Sequence, residues 1–135
     1  APAVDNPNLE FQFASKEFME SFGFNVKQYA LLMGVTRPAI YRWHETNAPL
    51  AKVRSKNVDR LSQLSEVLAS IKEDRRKLLG SWLTSELDNQ AMTVKAALRA
   101  ETIDKDSVYE LVPEINSALR SLNSSDSLDD LLGIA

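Results

Sequence analysis

Residues 26–45, VKQYALLMGVTRPAIYRWHE, constrain the fold more than any other stretch, because their spacing obeys the steric rules of two helices crossing through a tight turn. Ala30 offers a small side chain where the helices approach. Gly34, four residues on, stands where the backbone must turn through positive φ, which glycine adopts without a steric penalty. Val35 and Ile40 are apolar at the spacing that closes a shared core, and Trp43 follows Ile40 by three residues. Thr36 is placed to cap the second helix, with Arg37 and Pro38 in its first turn, where a missing N–H does no harm. Asn25 precedes Gln28 by three, the spacing of a capping box that starts the first helix. These residues predict a helix-turn-helix.

In such a motif the N-terminal half of the second helix faces base edges in the major groove of DNA. That nominates Thr36, Arg37, Pro38, Tyr41 and Arg42. Arginine pairs bidentately with guanine, and tyrosine can bond a phosphate or touch a thymine methyl. Lys27 and Gln28, at the start of the first helix, are placed to donate to phosphates. Lys52, Arg54 and Lys56 would add backbone contacts just beyond the motif, and His44 could touch DNA from its end. The expected partner is double-stranded DNA, as a short inverted repeat read by a homodimer. A helix-turn-helix can also serve purely as a protein scaffold, and that alternative predicts no DNA affinity.

Charge divides along the chain in a way that favours the first reading. Residues 26–79 carry 11 Lys and Arg against 5 Asp and Glu, a balance of +6, whereas residues 80–135 carry 4 against 10, a balance of −6. A basic segment around the motif suits a polyanion, since phosphate neutralisation and counterion release supply most non-specific affinity. The acidic remainder suits a different partner, or solubility alone.

The whole chain reads as all-α. Residues 1–13, with two prolines and two asparagines, suggest a flexible arm. Phe18, Met19 and Phe22 suggest a first helix stopped at Gly23, and a helix-turn-helix domain spans 14–57. From about Asn57 a longer helix carries Leu61, Leu64, Leu68 and Ile71 at spacings of 3, 4 and 3, flanked by Val67. That stripe is either a dimer seam or the inward face of an amphipathic helix. A break over 85–92 leads to a helix from about Val94, capped by Thr93. A last helix follows, capped by Asp104 or Asp106, with Pro113 inside it. Together, 58–120 form a connecting helix and a small helical partner-binding or dimerisation domain.

Residues 121–127, SLNSSDS, read as a linker opening a flexible acidic tail over 121–135. Leu128, Leu131, Leu132 and Ile134 recur there at helical spacing. They are either anchors that fold into a partner's groove or part of an inert terminus.

Several classes are excluded. A single histidine and no cysteine leave no structural zinc site, and no metal or cofactor is expected. No nucleophile with an oriented base and no phosphate-cradling glycine loop stands in the chain, so an enzyme is not expected. No apolar run approaches the ~20 residues of a membrane span. The opening residues, APAVDNPNLE, lack a basic stretch followed by an apolar one, so no signal peptide is expected and the expected location is the cytoplasm.

The order of elements over roughly residues 24–115 resembles that of the Xre/MbcA/ParS group of helix-turn-helix antitoxins. The resemblance lies in GVTRPAIYRW, in the leucine-bearing connecting helix, and in LLGSWLTSELD followed by MTVKAALRA. The second half resembles the family's Trp-Leu pair, polar break and short Thr-opened helix, although Met92 and Val94 flank Thr93 where the family has Gly and Pro. The acidic segment after Ser121 extends past the family's usual end. The resemblance implies a dimeric autorepressor whose second half, including Trp82 and Leu83, binds a toxin.

Overall fold

The computed structural model describes the backbone of residues 7–45 and 53–132, and the side chains of those stretches from residue 9 to residue 123. Seven α-helices and no strand make up the described residues, as the periodicity predicts. They are α1 (Pro7–Ser21), α2 (Val26–Met33), α3 (Arg37–His44), α4 (Ser55–Leu68), α5 (Leu79–Leu83), α6 (Asn89–Arg99) and α7 (Lys105–Leu132), with a 3-10 turn at Arg76–Leu78 before α5.

α1 begins at Pro7, so residues 7–13 are helical where a flexible arm was expected. Proline fits a first helical position, and tertiary contacts hold the rest. Phe11 is buried edge-on against Trp43 with ring centroids 5.0 Å apart, and Gln12 Nε2 donates to the Glu45 carbonyl at 2.7 Å. Gly23 then turns the chain at φ 66°.

The local chemistry of α2 and α3 follows the sequence closely. Asn25 Oδ1 accepts from the Gln28 N–H at 2.8 Å while Gln28 Oε1 accepts from the Asn25 N–H at 3.0 Å, the reciprocal capping box. Gly34 ends α2 at φ 70°, and the Val35 N–H returns to the Ala30 carbonyl at 3.0 Å. Thr36 caps α3, its Oγ1 accepting from the Ala39 N–H at 3.4 Å.

Leu61, Leu64, Val67 and Leu68 of α4, and Ile71 beyond it, are all buried within the chain. The leucine stripe is therefore an inward face and is not free to act as a dimer seam. Complete burial of each such side chain contributes about 1.5–3 kcal/mol. The buried residues form a single cluster that runs from Phe11 to Leu119 and takes side chains from every helix.

Gly80, in the first turn of α5, lies against the chain reversal between α1 and α2. Its N–H donates to the Phe22 carbonyl at 3.0 Å, and a β-carbon there would overlap the carbonyl of Gly23. Glycine is required at 80 by this close approach.

α6 starts at Asn89, five residues before the expected start, and its cap is Asp88 in place of Thr93. Asp88 Oδ1 accepts from the N–H groups of Gln90 and Ala91, and Oδ2 accepts from Trp82 Nε1 at 2.9 Å. Those bonds hold the Asp88 carboxyl below the ordinary carboxylate range. Thr93 lies inside the helix, donating to the Asn89 carbonyl at 2.9 Å.

Asp104 caps α7 through the Ser107 N–H and hydroxyl. The helix continues past Pro113 because Val108, Val112, Ile115 and Leu119 are buried on both sides of it. It also runs through 121–127, where a linker was expected. Serine and asparagine lower helix propensity by only tenths of a kcal/mol each, which does not stop a helix already propagating.

Candidate nucleic-acid interface

α3 is divided into two faces by its own sequence. Ile40 and Trp43 are buried, Ala39 is half-buried, and Arg37, Pro38, Tyr41 and Arg42 are exposed, Tyr41 by 63%. The apolar residues sit three apart, so they lie on one side and leave the basic and aromatic residues on the other. Thr36 is exposed at the start of this face, with its side chain committed to the cap. Lys27 is exposed in the first turn of α2, and Arg54 and Lys56 are exposed where α4 begins. Lys52 lies outside the described residues.

Two nominated contacts do not stand. Gln28 is spent inside the chain: besides its part in the capping box, its Nε2 donates to the Gly80 carbonyl at 2.6 Å. His44 is turned inward, with Nε2 2.9 Å from Ser15 Oγ and its ring stacked 6.1 Å from Tyr29. Burial, assisted by Lys16 and opposed by Glu20, holds the His44 imidazole below its ordinary pKa, so it is a neutral structural group at neutral pH.

What fixes α3 from behind is α1. Phe11 packs on Trp43, Gln12 holds the carbonyl that follows the helix, and Ser15 bonds His44. Phe11 and Gln12 were missed because residues 1–13 read as an arm, and Ser15 because its bond to His44 joins residues far apart in the chain. Phe11, Ser15, Phe18 and Phe22 stand at spacings of 4, 3 and 4, and that stripe could have extended the helix backwards.

A second positioning residue is Arg60 of α4. Its Nε donates to the Leu32 carbonyl at 2.8 Å, Nη1 to the carbonyls of Ala100 and Glu101, and Nη2 to the Leu98 carbonyl at 2.8 Å. One planar guanidinium thereby ties the C-terminal ends of α2 and α6, where helix carbonyls lack partners of their own.

In the second half, Trp82 and Leu83 are core residues, 5% and 3% exposed, and offer no surface to a partner. Leu87, 96% exposed, and the half-exposed Met92 face outward there, as do Tyr109 and Leu122 to a lesser degree. The side chains of Leu128, Leu131, Leu132 and Ile134 lie outside the described residues.

Among the described residues no helix is long and apolar enough to cross a membrane, and no three His, Asp or Glu side chains gather where they could hold a metal ion. No known protein family, curated protein or solved structure matches the chain.

Proposed function

We propose that the chain is a sequence-specific DNA-binding regulator that lays the outer face of α3 in the major groove. The observation that carries this reading is the separation of α3 into a buried Ile40 and Trp43 and an exposed Arg37, Tyr41 and Arg42. A basic, aromatic helix face of that kind matches the donors that read base edges. Lys27, Arg54 and Lys56 supply phosphate contacts on either side.

The test is selection from a random duplex library at moderate salt. A short enriched motif supports the reading, and a two-fold symmetric one supports a dimer. No enrichment favours the scaffold alternative.

For the acidic half the reading is a protein partner, the toxin implied by the antitoxin resemblance. Such a partner would meet the exposed Leu87 and Met92 instead of Trp82 and Leu83.

A further inference from the structure

Met92, Lys95 and Arg99 of α6 border a groove of about 610 Å³ whose other walls are Glu86, Ala96 and Ala100. Lys95 and Arg99 stand one helical turn apart, and they also line a narrow crevice of about 30 Å³ against Phe24, Leu31 and Leu83. The two hollows therefore share a basic ridge with apolar ground on both sides. Met92 and Leu31, one on each side, are 46% and 42% exposed.

The charge of this ridge is uncompensated. Lys95 and Arg99 are two of the four cations that follow residue 79, and neither is in an ion pair among the described residues. Glu86 is the one acid on the walls of either hollow. Exposed apolar surface flanked by charge of one sign fits an apolar segment that carries the opposite sign.

The chain itself contains such a segment. Asp126, Asp129 and Asp130 follow Arg120 with no further cation, and Leu128, Leu131, Leu132 and Ile134 stand among them. The backbone of α7 is helical through Leu132. The helical period assigns Leu128, Leu131 and Leu132 to one side and Asp129 and Asp130 to another.

α7 carries this segment away from the groove of its own chain. Lys105, which opens α7, follows Arg99 at the end of α6 by six residues, whereas Leu122 lines a cleft with Asp88 and Gln90 at the start of α6. α7 thus runs back along α6. Its continuation from Leu122 to Leu132, about 15 Å, leaves α6 at the end opposite Arg99.

We propose that the groove of one chain receives the end of α7 from a second copy. Met92 and Leu31 meet the leucines of that segment, and Lys95 and Arg99 meet Asp129 and Asp130. The contact does not rest on the DNA reading, and it gives the chain a self-association surface where the leucine stripe of α4 is spent in the core. A toxin docking at Met92 would compete with it.

The experiment measures the mass of the full chain by light scattering at about 100 µM without DNA, where even a modest interface is populated. Beside it stand Lys95→Glu with Arg99→Glu, Asp129→Lys with Asp130→Lys, and Met92→Asp, each checked by circular dichroism. The wild-type chain should have a mass of two chains or more, and each variant should weaken association about tenfold or more. An equimolar mixture of the two charge-reversed variants should regain wild-type association, because each groove then meets a segment of opposite charge. A monomeric wild-type chain overturns the proposal, as does wild-type association in either charge-reversed variant or a mixture no tighter than its components. If a charge-reversed variant loses its helical signal, Met92→Asp decides alone: weakened association supports the proposal and unchanged association overturns it.

Discussion

Ser15 and His44 are joined at 2.9 Å, Oγ to Nε2, and the same Oγ lies 2.6 Å from the Tyr29 hydroxyl. One serine of α1 therefore links α2 to the end of α3 on the inward side of the proposed reading helix. Ser15→Ala would leave the Tyr29 hydroxyl and the His44 imidazole without their shared partner. The expected cost is about 1–3 kcal/mol in urea unfolding. An unchanged midpoint would show that the network contributes nothing.

The same network gives stability a pH dependence at both ends. His44 is held below its ordinary value mainly by burial, so the unfolded chain takes up its proton first. Stability is therefore complete above the ordinary imidazole value of about 6.5 and falls as pH drops from there through the folded pKa. The Tyr29 phenol is pushed up to about 12 by burial, so stability also falls as pH rises from 10 toward 12. Unfolding midpoints should be higher at neutral pH than in mild acid, and His44→Gln should flatten the acid limb. An acid limb unchanged in that variant would place the titration elsewhere.

Two glycines separate backbone conformation from steric contact. Gly34 is left-handed, but a β-carbon there would meet nothing within 4 Å, so Gly34→Ala should cost about 1 kcal/mol. A β-carbon on Gly80 would collide with the Gly23 carbonyl, so Gly80→Ala should cost about 3 kcal/mol or more. Thermal unfolding of both variants gives the order. Equal losses would mean that α5 and the chain reversal can move apart at little cost.

Arg60 is the cation on which the junction of α2, α4 and α6 depends. Arg60→Lys keeps the charge but cannot reach four carbonyls with one ammonium. A loss of about 2–3 kcal/mol is expected for Arg60→Ala and only partial recovery for Arg60→Lys. Full recovery with lysine would reduce the role of Arg60 to charge alone.

The parts legible in the sequence are those whose causes are local. Asn25 and Gln28, Gly34 and Thr36 act on residues within five positions, so spacing alone identifies them, and it narrows the cap of α7 to Asp104 or Asp106, of which Asp104 makes the bonds. The start of α1 is legible only in part: the stripe of Phe11, Ser15, Phe18 and Phe22 points back into it, but the contacts with Trp43 and Glu45 that hold it lie more than thirty positions away. Asp88 was missed in favour of Thr93 because its advantage includes a bond from the Trp82 indole, and the packing that brings the two together is not written in the spacing. Trp82 and Leu83 show the limit from the other side. Apolar character predicts burial but does not distinguish burial within the chain from burial against a partner.

The central claim, that the outer face of α3 reads DNA, is tested most directly by titrating Arg37→Ala and Arg42→Ala against the selected duplex and single-base variants of it. Both side chains are exposed, so folding should be preserved. Each substitution should weaken binding by about 1–3 kcal/mol and relax discrimination at one base pair. Unchanged affinity and unchanged discrimination in both folded variants would contradict the account.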